Sequence, residues 1–197
     1  MVSGPAYTRL DVDERRRRLL DLGADLFARH AYDELTMATI AREAGISKAL
    51  LYHYFPGKQA YFAATLEDKA AELAELTQPD PSLPPIEQLT RALDAFLAWV
   101  EANRAAYGKL VRSAAAIPEV REVVDRVRDA TSARILDGLA GGRAEAAPPA
   151  MRTAVRAWLW FMDGAILDWV EHEDLTREQL RGLLLDTLTG AVGASRR

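Results

Sequence analysis

Residues 35–58 read LTMATIAREAGISKALLYHYFPGK, and the rest of the chain is organised around them. Thr36 is a favourable helix N-cap, because its hydroxyl can accept from an otherwise unpaired amide one turn on. Ile40, Ala41 and Ala44 follow at helical spacing and give a short helix one apolar face. Gly45 suits the left-handed residue that ends a helix, and Ser47 caps a second helix almost at once. Two short helices joined by so tight a turn predict a helix-turn-helix.

The second helix is tested by phase. At about 100° per residue, Leu50, Leu51, Tyr54 and Phe55 fall on one half of the wheel. Lys48, Ala49, Tyr52 and His53 fall on the other. The first half is what a core needs, and the second suits a surface facing phosphates and base edges. Pro56 ends the helix. Gly57-Lys58 opens the next, with a cation beside a helix N-terminus where a phosphate can sit.

The longer stretch TIAREAGISKALLYHYFPGKQAYF, residues 39–62, resembles the signature of the TetR family of bacterial transcriptional repressors. The matching residues are Ile40-Ala41, Ala44-Gly45-Ile46-Ser47, Leu51-Tyr52, Tyr54-Phe55 and Lys58. Ala49-Leu50 departs from the small, polar or helix-breaking residues that members often carry there. The resemblance covers the first third of the chain; beyond it only length and helical character match. It implies DNA-binding roles for Thr36, Ser47, Lys48, Ala49, Tyr52, His53 and Lys58, with Lys48 and His53 at base-reading positions; the groups of Tyr52 and Lys58, and more weakly Thr36, suit phosphate oxygens. Tyr54 is divided: its phase places it in the core, while the resemblance allows a backbone contact. It also implies a homodimer on double-stranded DNA, released when a small apolar or aromatic effector binds the larger domain.

Bulk properties agree in part. The chain has 197 residues and no cysteine, which excludes disulfides and thiolate metal sites. Residues 1–69 carry ten Lys/Arg and ten Asp/Glu, and the net charge of −4 falls entirely on residues 70–197. Within 36–58, Arg42, Lys48 and Lys58 oppose Glu43 alone. That small positive footprint supports DNA binding only weakly, so the motif carries the claim. The N-terminus has no apolar run of signal-peptide type. The most apolar segment is interrupted by Arg156, Asp163 and Asp168, too polar to span a membrane. A cytoplasmic location without membrane contact is expected.

Taken in order, residues 1–11 read as a disordered arm and residues 12–57 as the DNA-binding domain. Leu19, Leu20, Leu22, Leu26 and Phe27 stripe a helix from Val12 to His30. Arg15–Arg18 reads first as a solvated face with i,i+4 partners such as Glu14, and alternatively as a flanking phosphate contact. His30 suits the dipole at that helix's end. Residues 58–77 form a linking helix, and the four prolines of TQPDPSLPPIE open the ligand-binding and dimerisation domain, residues 78–197. A helix from Ile86 to about Ala106 is expected to break near Tyr107-Gly108. Pro118 then starts another that ends at Gly141-Gly142. Met151–His172 and Leu175–Val192 complete an all-α chain of roughly nine helices.

In the larger domain, Phe96, Trp99, Asn103, Tyr107, Arg112, Trp158, Met162 and Asp163 are the candidate effector residues. They lie near helix breaks or combine apolar bulk with polar anchors; plain core packing is the competing reading for each. Glu171-His172-Glu173-Asp174 has metal-binding residue types, but consecutive residues do not share a helical face, so a solvated turn is the better reading. No cofactor, metal or catalytic constellation is expected. The two C-terminal helices carry more apolar residues than one face can bury. That predicts a four-helix dimer interface containing Trp160, Leu180, Leu184 and Leu188, with completion of the chain's own core as the competing reading. The alternative from another class is an all-α small-molecule-binding protein or enzyme without DNA function.

Overall fold

The computed structural model describes residues 9–113 and 117–195. Among them are nine α-helices and no strand: α1 Arg9–Arg29, α2 Met37–Glu43, α3 Lys48–Tyr54, α4 Lys58–Leu76, α5 Pro85–Ala102, α6 Arg104–Ser113, α7 Pro118–Leu139, α8 Pro149–His172 and α9 Arg177–Ala194. The all-α expectation holds. The expected arm falls partly on residues 1–8, outside the described residues. Its remainder, residues 9–11, forms the first turn of α1. The chain divides into two compact units at Lys69–Ala70, inside the linking helix.

The first unit closes over an apolar centre of Leu19, Leu20, Leu26, Leu35, Met37, Ile40, Ala41, Leu51, Phe55 and Tyr61. Leucines of α1 supply one side of it, as their helical spacing predicts. Phe27, Tyr32 and Phe62 cluster beside it, with Phe27 and Phe62 centroids 4.2 Å apart. α4 crosses α1 closely because residue 23 is glycine. A β-carbon there would lie 2.5 Å from Thr65 Oγ1 and 2.8 Å from the Tyr61 hydroxyl. Both side chains are buried. The Tyr61 hydroxyl donates to the Leu19 carbonyl, and Thr65 Oγ1 donates to the Tyr61 carbonyl at 2.9 Å. Burial pushes the Tyr61 phenol pKa upward, so the hydroxyl stays protonated and able to donate.

In the second unit, α8 packs on α7 and α9, and α9 also packs on α5. The core holds Leu93, Leu97, Val100, Val155, Leu159, Ile166, Leu180, Leu184, Leu188 and Val192. The last four recur every fourth residue, the spacing that keeps one helical face turned inward. The Trp158 indole donates to the Leu184 carbonyl at 2.9 Å and ties α8 to α9. Arg181–Asp94 at 2.6 Å and Arg177–Glu101 at 3.1 Å tie α9 to α5.

Two expectations need correcting here. Tyr107-Gly108 does not interrupt a helix; the break is at Asn103, whose side-chain amide donates to the Trp99 carbonyl at 2.8 Å. One glycine inside a helix costs only about 1 kcal/mol relative to alanine, and burial of Tyr107 offsets that. Leu180, Leu184 and Leu188 do not form an outer surface. They are buried against their own chain, where α8 and α5 cover them. Trp160 differs, being 64% exposed, and Phe161 at 40% and Leu183 at 45% are exposed on the same helix pair.

Candidate functional site

The helix-turn-helix is assembled by its own capping groups. Thr36 Oγ1 accepts from the Thr39 amide at 3.1 Å, and Ser47 Oγ accepts from the Leu50 amide at 3.1 Å. Gly45 between them has φ +66°, which glycine adopts without the penalty a β-carbon brings. The Ile46 amide donates back to the Ala41 carbonyl at 3.0 Å and closes the turn. Leu51 is fully buried and fixes the rotation of α3. With that face pinned, Ser47, Lys48, Ala49, Tyr52 and His53 are exposed together, as is Thr36 at the start of α2.

The phase reading set Lys48, Ala49, Tyr52 and His53 on the outer half of α3, and all four are exposed. Lys48 Nζ lies 5.8 Å from the Tyr52 ring centroid, an attraction between ammonium and π-face that holds the cation along the helix. Tyr54 is half-buried, packs on the core and meets the His53 ring edge-on at 5.7 Å. Lys58 is engaged within the chain: its Nζ donates to the Tyr32 carbonyl at 2.9 Å and lies 4.1 Å from the Tyr32 ring centroid. In the arginine run, Arg18 pairs with Glu14 and Arg16 lies 5.7 Å from the Phe55 centroid. The i,i+4 reading therefore describes Arg18.

Of the candidate effector residues, the structure brings together three. The Tyr107 hydroxyl donates to Asp163 Oδ1 at 2.9 Å, and the Phe96 ring meets Tyr107 edge-on at 5.9 Å. Burial and the adjacent Asp163 carboxylate push the Tyr107 phenol pKa well up. Trp99 and Met162 are partly buried against the same core. The others are engaged elsewhere: Asn103 on the Trp99 carbonyl and Arg112 Nε on the Gly108 carbonyl at 3.1 Å within one turn, and Trp158 on the Leu184 carbonyl of α9. Sequence reading missed Arg128, which donates to Asp163 Oδ2 from Nε at 3.1 Å and from Nη2 at 2.6 Å. Its signal was available. Val120, Val124, Arg128, Ser132 and Leu136 recur every fourth residue, so an arginine stands in the inward stripe of α7.

The Glu171–Asp174 segment is exposed and carries the left-handed Glu173, φ 52°, whose carboxylate pairs with Arg104. His172 Nδ1 lies 3.0 Å from the Asp168 carbonyl. That hydrogen bond and the Asp168 charge raise the imidazole pKa. No helix among the described residues is long and apolar enough to cross a membrane.

Comparison with known proteins gives the same division. Residues 19–65 match the family model described as bacterial regulatory proteins, tetR family. Residues 85–191 match the model described as tetracyclin repressor-like, C-terminal domain. The chain is similar to the uncharacterized HTH-type transcriptional regulator YhgD of Bacillus subtilis, 25% identical over 87% of this chain and 93% of that protein. It is 29% identical to the HTH-type transcriptional repressor KstR of Rhodococcus jostii over 58% of each chain. A crystal structure of a tetR-family transcriptional regulator from Streptomyces coelicolor superposes with a TM-score of 0.79 at 30% identity, covering 93% of this chain and 82% of that one. An outward row of hydrogen-bonding side chains on a capped second helix, matched family models at both ends and a shared all-α architecture lead to one assignment: the chain belongs to the TetR family and is a helix-turn-helix transcriptional regulator, not an enzyme.

Proposed function

We propose that this regulator is a homodimeric, cytoplasmic repressor that binds a palindromic operator and leaves it when a small apolar or aromatic effector occupies the helical domain. The observation that carries the DNA reading is the row Ser47, Lys48, Ala49, Tyr52 and His53, exposed on a helix whose opposite side is locked by Leu51. Lys48 and His53 suit base edges in the major groove, while Thr36, Tyr52 and Lys58 suit phosphate oxygens. That the similar Rhodococcus jostii protein is a transcriptional repressor favours repression over activation.

Trp160, Phe161 and Leu183 support a dimer through α8 and α9. Large apolar side chains exposed on one helix pair are what two-fold pairing through a single self-complementary surface would cover. Gly164, Gly182, Gly190 and Gly193 have open space where a β-carbon would stand, leaving room for close approach of a second copy. A dimer brings two reading helices to half-sites about one helical turn, or a multiple, apart. The effector releases DNA only by binding better to a dimer geometry that mismatches the operator.

Sequencing the DNA retained by the purified protein from a random pool tests this. The expected result is an inverted repeat with half-site spacing set by the helical repeat. Enrichment of a single unrepeated site refutes the dimeric reading, and no enrichment refutes sequence-specific binding.

A further inference from the structure

Asp163 lies on α8 with 15% of its side chain exposed, and groups from two other helices engage its oxygens. Tyr107 of α6 donates to Oδ1; Arg128 of α7 donates twice to Oδ2. The guanidinium carbon of Arg128 also lies 4.0 Å from the centroid of the Trp160 ring. A carboxylate, a phenol and an indole face around one positive charge is a combination that recognises organic cations. In this chain Arg128 fills that cage from within.

The two ends of the ion pair are held unequally. Tyr107 is buried in the core beside Phe96 and fixes Asp163 from the inside. Arg128 has a second carboxylate within reach, since Nη1 lies 3.4 Å from Oδ1 of Asp125, a residue whose side chain is 53% exposed. A cation arriving at Asp163 therefore leaves Arg128 with Asp125 and water. An anion arriving at Arg128 leaves the Asp163 charge mostly enclosed, with the Tyr107 phenol beside it. That is the costly direction for a carboxylate shielded from solvent.

We propose that the effector is an organic cation with an aromatic or apolar body, that Asp163 is its counter-ion, and that Arg128 is the resident cation it displaces. This rests on the reading that the helical domain takes a small-molecule effector. Displacement also releases Arg128 from Trp160, so the site and the exposed face of α8 share a residue.

The test titrates the full-length protein by calorimetry with three probes: 4-phenylbutyltrimethylammonium, 4-phenylbutyrate and 4-phenylbutanol. The cation should bind the native protein. Arg128→Met should bind it at least about tenfold tighter, because the internal competitor is gone, and Asp163→Asn at least about tenfold more weakly. If Arg128→Met does not fold, Arg128→Lys serves, since a point charge without the planar fork holds Asp163 less firmly and cation affinity again rises. A cation affinity that stays the same or falls when Arg128 is replaced overturns the charge assignment and leaves the effector reading standing. So does carboxylate or alcohol binding as tight as the cation's. Absence of binding by all three probes, to native protein and variant alike, overturns both.

Discussion

Replacing Gly23 with alanine probes the crossing of α1 and α4, and intrinsic propensity gives the wrong sign there. In an open helix interior the change should stabilise by about 0.8–1 kcal/mol. Here the new methyl would stand 2.5 Å from Thr65 Oγ1, 2.8 Å from the Tyr61 hydroxyl and 3.0 Å from Tyr61 Cζ. Neither neighbour can swing into solvent, because both are buried and each hydroxyl is engaged by a carbonyl. Overpacking costs about 1–3 kcal/mol. Disturbing a buried hydrogen bond adds about 1–3 kcal/mol. After the propensity gain, Gly23→Ala should destabilise by about 1–5 kcal/mol. Urea unfolding followed by circular dichroism measures it. Thr65→Ala removes the nearest atom, so the double variant should lose less than the sum of the singles, with a coupling of about 1 kcal/mol or more. A raised midpoint for Gly23→Ala refutes the reasoning, and so does additivity within about 0.5 kcal/mol.

Leu184→Arg should give unfolded or insoluble protein, because Leu184 is fully buried within the chain. Trp160→Asp should stay helical but shift toward monomer in light scattering; a folded, monomeric Leu184→Arg protein would return the leucine stripe to the interface. Lys48→Ala and His53→Ala should each relax operator preference by about 1–3 kcal/mol in selection on randomised operators, whereas uniformly weaker binding reassigns them to phosphate. Lys58→Ala should weaken all sites alike and lower the salt slope by about one unit, and an unchanged slope argues against the phosphate contact. Ser47→Ala should cost about 1 kcal/mol of stability through loss of the α3 cap, with a cost near zero in urea unfolding refuting that role.

What was legible in the sequence was local and periodic. Thr36, Gly45 and Ser47 act through amides no more than a few residues away, so their capping roles follow from spacing alone. Leu51 fixes the phase of α3, and the outward row follows from it. The helical domain was harder because its decisive contacts join distant residues: Tyr107 to Asp163, Arg128 to Asp163, Arg181 to Asp94. No periodicity reports which helix faces which. The leucines of α9 show the same gap. A stripe every fourth residue says that a face is covered, but whether α5 and α8 or a second copy covers it is a tertiary fact. Asn103 broke a helix where Gly108 did not, because an amide that captures a carbonyl competes with the helix more directly than a missing side chain.

The Lys58 contact with Tyr32 bears on entropy. An unrestrained lysine forfeits about 1.5–2 kcal/mol of rotamer freedom when it becomes fixed. The Tyr32 carbonyl and ring already hold the Lys58 ammonium at the head of α4. A phosphate meeting Lys58 would find a charge that is stationary before the duplex arrives. The ordering of that side chain then belongs to the folding of the chain, not to its encounter with DNA.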